Sequence, residues 1–122
     1  SALNVAEGTS IFHSIMVHYE NDQPVQIEDR CVNAEIVPEY LTQDYSQTTP
    51  HAYLSLIAPL TEGEHIVEAV RASAEECALL NIKEHDPCLL IRRRTWSASH
   101  IVSHAHLLFP GSRYRLQGRF MS

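Results

Sequence analysis

The 122 residues carry nine Lys and Arg against fifteen Asp and Glu, a formal net charge of -6, and 44% of them are hydrophobic. This length and apolar content predict one packed domain and leave no room for two ordinary ones. The acidic balance excludes a domain that grips a nucleic-acid backbone by itself, because such a domain gathers basic charge on one face. No apolar run approaches the ~20 residues of a membrane span, and the start SALNVAEGTS lacks the basic-then-apolar pattern of an export signal. Cys31, Cys77 and Cys88 are odd in number and form no C-x-x-C pair, so buried reduced thiols in a cytoplasmic protein are expected rather than a disulfide framework.

In chain order, Ser10 to Glu20 is rich in β-branched and aromatic residues, NDQP supplies a turn, and VQIEDRCV resumes an extended pattern, which predicts a hairpin. Alternation along the second strand puts Val25, Ile27, Asp29 and Cys31 on one face and Gln26, Glu28 and Arg30 on the other, so one sheet face carries adjacent charges of both signs. A helical turn is expected at Pro38 to Leu41. Thr49 is placed to cap a helix whose first turn holds Pro50, where a missing N–H does no harm. EHIVEAVRASA reads as a strand, although its length also permits a helix. Ser73 and Glu76 form an S-x-x-E capping box ahead of a short helix, AEECALLNI, closed by HDP. LLIRRRTWS and HIVSHAHLLF, joined by a turn at Ala98 and Ser99, give a second hairpin ending at Pro110 and Gly111. Without long helical crossovers between most strands, the fold class is antiparallel α+β, with helices laid on a sheet.

Three adjacent arginines in an acidic chain ask for a partner. Alternation sends Arg92, Arg94 and Trp96 to one side of their strand and Arg93 and Thr95 to the other, so they cannot act as one basic patch. Pairing with Glu28, Asp29 or Glu68 would account for any one of them. A carboxylate or phosphate site, with Trp96 stacking on a flat ligand, would also use the guanidinium fork. Of the eight histidines, His100, His104 and His106 share one strand face, but no further ligands follow at a recognised metal spacing, so no metal is expected. G-x-S-x-G is absent, and no cysteine lies in a setting that would activate it. The helix start TTPHAY could attract an anion through unpaired N–H groups and the Thr49 hydroxyl, or Thr49 could simply cap the helix.

The runs IFHSIMVHYENDQPVQIEDRCVN, TPHAYL, EHIVEA, PCLLIRRRTWS and PGSRYRLQGRF together resemble the UTRA effector domain of GntR-type transcription regulators, in the branch that controls histidine utilisation. The similarity runs from Ser10 to Phe120 in order and with matching spacing. It implies a single effector-binding domain over residues 1–122, with a chorismate lyase-like antiparallel sheet of about six strands and flanking helices. It also implies a winged helix-turn-helix domain upstream, outside this chain, through which alone operator DNA would be touched. A homodimer, no cofactor, no enzymatic activity, and urocanate or a related small carboxylate as effector complete what the resemblance implies.

Relatives that bind sugar phosphates use arginines on the first strand, a glutamate after the turn and a small polar residue at the helix start. By motif these positions are Met16 and His18, then Glu28, then the region of Thr49, His51 and Tyr53. Met16 and His18 in place of arginines disfavour a doubly charged phosphate and favour a smaller, flatter anion. The expected roles give Glu28 the imidazole N–H, the Thr49 terminus with Tyr53 the ligand's orientation, and one of Arg92 or Arg94 the carboxylate, with Ser103 or His104 completing the wall. A lyase or isomerase acting on a small aromatic acid is the alternative, since the implied fold also hosts chorismate lyase and fold alone does not fix function. A domain that only dimerises is the third reading.

Overall fold

The computed structural model describes residues 10–58, 61–98 and 100–114. Strands β1 (Ile11–Glu20) and β2 (Gln23–Asn33) form the first hairpin. Asn21 and Asp22, at φ 51° and 62°, take the left-handed conformations that a two-residue hairpin turn requires. A single 3-10 turn, Tyr40–Thr42, leads toward helix α1 (Pro50–Ile57). Strand β3 (Glu62–Arg71), helix α2 (Ala74–Leu80) and the hairpin of β4 (Pro87–Ser97) and β5 (His100–Pro110) follow. The segment at Glu64 onward, open to either reading from its length, is therefore a strand.

The five strands form one antiparallel sheet in the order β1-β2-β5-β4-β3. The expected antiparallel α+β arrangement holds, with five strands rather than about six among the described residues. The two hairpins meet along β2 and β5, where Val32 lies opposite Ser103 and Ile27 opposite Leu108. A bulge in the second hairpin pairs Thr95 with Ser103 but Trp96 with Ile101, leaving Val102 as the extra residue.

The helices cover opposite faces. Leu54 and Ala58 at the α1 end, Val37 and Tyr40 of the preceding turn, and Val32 and Val102 of the sheet make one apolar cluster. Leu80 of α2 packs with Ile27, Cys88 and Leu108 from the other face. A third cluster, Ile91, Ala105, Leu107 and Phe109, is extended by Tyr114, whose ring stacks on Phe109 at 3.8 Å. These clusters supply the hydrophobic driving force, and the caps fix where the helices begin. Thr49 Oγ1 accepts from the Ala52 N–H at 3.1 Å. Ser73 and Glu76 close the capping box, with Glu76 N to Ser73 Oγ at 3.2 Å and Ser73 N to Glu76 Oε1 at 2.8 Å. Asn81, at φ 54°, ends α2 in a left-handed turn two residues before the AEECALLNI reading would stop it. No helix among the described residues is long and apolar enough to cross a membrane.

Candidate functional site

The register gathers polar side chains onto the face that α1 covers. Ser14 pairs with Arg30 and Met16 with Glu28 across the first hairpin; Arg30 and Arg93 both lie opposite Ala105; Thr95 lies opposite Ser103 and His65 opposite Arg93. Since alternate residues share a face, Glu28, Arg30, Ser103, Thr95, Arg93 and His65 belong to one surface.

At its centre is a buried ion pair. Arg30 is 2% exposed and Glu28 5%, a depth that charges tolerate only when paired and hydrogen-bonded. Arg30 Nε donates to Glu28 Oε2 at 2.9 Å, and Arg30 Nη1 donates to Ser103 Oγ at 3.2 Å. Ser103 and Thr95 share a hydroxyl hydrogen bond of 2.7 Å. On the other side His18 Nε2 lies 2.9 Å from Glu28 Oε1. Burial alone would raise the Glu28 pKa. The hydrogen bond to His18 and the charge and hydrogen bond of Arg30 together outweigh it, and the carboxyl stays below its ordinary value, ionised at neutral pH.

This network floors a cavity of about 320 Å³ lined by His18, Gln26, Glu28, Arg30, Thr49, His51, Arg93 and Leu107. A second lobe of about 360 Å³, lined by His51, Thr61, Glu62, Gly63, His65, Arg93 and Thr95, shares His51 and Arg93 with the first. Arg93 therefore stands where the lobes meet, and its Nε donates to His65 Nε2 at 2.8 Å. Burial, and then the neighbouring Arg30 charge, lower the Arg93 pKa. His51, in the first turn of α1, has its pKa lowered by burial and then by Arg93 and Arg30. The combination suits a small flat anion. An ionised carboxylate can accept an N–H at one end, a guanidinium can hold an anionic group at the other, and the His18 and His51 imidazoles line the same space.

Of the residues singled out from sequence, His18, Glu28, Thr49 and His51 come together on this cavity. Ser103 is fully buried behind Arg30 and braces the floor. Tyr53 packs against the α1 cluster, edge-on to Tyr45 with ring centroids 6.5 Å apart. Arg92, Arg94 and His104 face the other way. Arg94 Nε and Nη2 both donate to Glu64 Oε1, at 2.9 and 2.6 Å, and its guanidinium lies 5.6 Å from the Trp96 ring centre. Arg92 Nε is 2.8 Å from Glu68 Oε1, an ion pair without an aligned hydrogen bond. His104 sits opposite Arg94, its ring edge-on to His106 at 4.8 Å. The different placement has one cause: the even-numbered positions at the centre of β4 point away from α1, so the middle arginine, Arg93, is the one that lines the cavity. Arg30, Arg93 and His65 were not anticipated as site residues. Arg30 had a signal, two places after Glu28 on the same strand face, whereas His65 needed the β3–β4 register. Among the described residues no group of three His, Cys, Asp or Glu side chains could hold a metal ion.

A family model described as the UTRA domain matches residues 1–115. The chain is 81% identical to the histidine utilization repressor of Klebsiella aerogenes over all 122 residues, which is 51% of that protein. The chain thus spans about half the length of the curated relatives it matches. Those relatives are named as transcriptional repressors, not as enzymes. Among solved structures, the C-terminal domain of histidine utilization repressor from Pseudomonas syringae pv. tomato superposes with a TM-score of 0.94 at 61% identity, covering 99% of this chain and 86% of that one. The effector domain of PhnF from Mycobacterium smegmatis superposes at 0.88 with 17% identity, covering 99% and 76%, and shares the fold.

Proposed function

Because the chain belongs to the UTRA domain family, we propose that it is the effector-sensing half of a GntR-type repressor of histidine utilisation, and that the cavity beneath α1 takes urocanate or a closely related imidazole carboxylate. The observation that carries this reading is a cavity of about 320 Å³ with a buried ionised carboxylate, Glu28, and a guanidinium, Arg93, both on its lining. Urocanate is a flat anion with an imidazole at one end and a carboxylate at the other. Glu28 accepts the imidazole N–H, and Arg93 takes the carboxylate in place of the Arg92 or Arg94 expected from sequence. His51 and the α1 N-terminus at Thr49 close the long side, where backbone N–H groups favour negative charge. A tetrahedral phosphate finds Met16 and His18 where the sugar-phosphate relatives have arginines, and is disfavoured.

In the whole protein this domain dimerises symmetrically and is joined to an upstream winged helix-turn-helix domain, so that ligand occupancy and operator binding are linked reciprocally. The relatives' names support the repressor assignment, and the acidic balance fits a half that leaves DNA contact to another domain. Isothermal titration of this chain with urocanate, histidine and N-acetylglucosamine 6-phosphate tests the reading. Saturable binding of urocanate alone is the expected result; equal binding of all three, or of none, overturns it. Sedimentation of the chain as a monomer at high concentration would remove the dimer from the proposal.

A further inference from the structure

Arg93 is held by an imidazole, and the geometry of that contact restricts what the guanidinium can do. His65 of β3 lies opposite Arg93 of β4 in the ladder, and both line the second lobe. Arg93 Nε donates to His65 Nε2 at 2.8 Å. To accept, Nε2 must carry a lone pair, so His65 is neutral with its proton on Nδ1. Burial, and then the Arg93 charge, depress its pKa and favour that state. A guanidinium can grip a carboxylate side-on, through Nε and one terminal nitrogen, or end-on, through both terminal nitrogens. With Nε–H committed to His65, the end-on fork remains.

We propose that His65 is a positioning residue of the effector site, locking Arg93 so that its two terminal nitrogens receive the ligand's planar carboxylate. This rests on the functional reading above. It adds a requirement which that reading lacks: the acceptor nitrogen of His65 must stay unprotonated for the fork to be aimed. The charged and titratable groups around His65 are Arg93 from β4, His51 from α1 and Glu62 from its own strand. Acidification places a second positive charge against Arg93, removes the acceptor and loosens the fork, so ligand affinity falls.

The experiment is titration of urocanate into the wild-type chain, His65→Ala and His65→Gln, at about pH 8 and about pH 5, the lower value chosen because the His65 pKa lies below its ordinary 6.5. Glutamine places an amide oxygen near the position of Nε2 and accepts without titrating. The expected result near pH 8 is a loss of roughly fivefold for His65→Ala and recovery to within about twofold for His65→Gln, the scale of one oriented hydrogen bond. On acidification wild type should lose affinity relative to His65→Gln. Taking that ratio cancels pH effects common to both chains, the titration of the ligand's own imidazole among them. A His65→Ala chain that binds like wild type, or a wild-type to His65→Gln ratio unchanged with pH, overturns the inference. Nitrogen-15 NMR of the Arg93 Nε–H provides an arm that needs no ligand: the signal should be protected in wild type and His65→Gln and exchange-broadened in His65→Ala. If no acid binds the wild-type chain, the functional reading falls while this signal still decides whether His65 holds Arg93.

Discussion

Replacing Glu28 with alanine tests whether the buried pair is as interdependent as its geometry indicates. Arg30 is 2% exposed and sends one nitrogen to Glu28 and another to Ser103, so the substitution strands a guanidinium in the interior with its charge uncompensated. Removing one member of such a pair costs about 3–5 kcal/mol, against about 5–15 kcal/mol for the whole stability of a domain. Glu28→Gln keeps an acceptor for Arg30 and loses only the charge assistance, roughly 1–2 kcal/mol. The double substitution Glu28→Leu with Arg30→Met replaces both charges by apolar bulk and should return stability to within about 2 kcal/mol of wild type. Ser103 retains Thr95 as a partner in that variant. Urea unfolding followed by circular dichroism reads this series: with a slope of about 1–3 kcal/mol per molar, Glu28→Ala should lower the midpoint by roughly 1–5 M while the slope is unchanged. A cost for Glu28→Ala below about 1 kcal/mol, or a double variant less stable than the single one, would refute the reasoning.

Other consequences follow from the same geometry. Arg93→Ala should weaken urocanate binding at least about tenfold by titration, whereas Arg92→Ala and Arg94→Ala, which break part-exposed pairs with Glu68 and Glu64, should leave it within about twofold and cost less than ~1 kcal/mol in unfolding. The folded-state pKa of Glu28 is lowered from 4.5. Its contribution to stability is therefore fully present above that ordinary value and lost as pH falls through the folded one, so the difference between wild type and Glu28→Gln should vanish in strong acid. Gly111→Ala should destabilise by about 1–3 kcal/mol, because an added Cβ would lie 2.8 Å from the Pro87 carbonyl oxygen, to which the Gly111 N–H already donates. Thermal unfolding of that variant against wild type measures the loss.

Much of the fold is legible locally because the signals that set it are local. Period-2 alternation, the Asn21-Asp22 turn, the Thr49-Pro50 cap and the Ser73 to Glu76 box act over two to five residues. The site is legible only in half. Alternation correctly separates Arg93 from Arg92 and Arg94, and a pairing of one arginine with Glu68 was among the readings it allowed. Which side faces the cavity is decided by where α1 crosses the sheet, a choice made by the apolar cluster of Val32, Val37, Tyr40, Leu54, Ala58 and Val102. No residue near the arginines encodes that choice. Tyr53 illustrates the same limit, since its place in the helix start suggested the cavity while its ring joins the tyrosines beneath α1.

The strand order has a kinetic corollary. Each hairpin closes over a short loop, but the seam between β2 and β5 joins residues as far apart as Ile27 and Leu108, and it carries the largest loop-closure cost in the sheet. Glu28 belongs to the early hairpin and Arg93 to the late one, on either side of that seam. The pocket therefore exists only once the seam has zipped, and a molecule held at both residues acts as a staple across it. Occupancy of the cavity should slow amide exchange along β2 and β5 more than in the two hairpin turns, which would make the proposed effector a brake on the slowest opening of the chain.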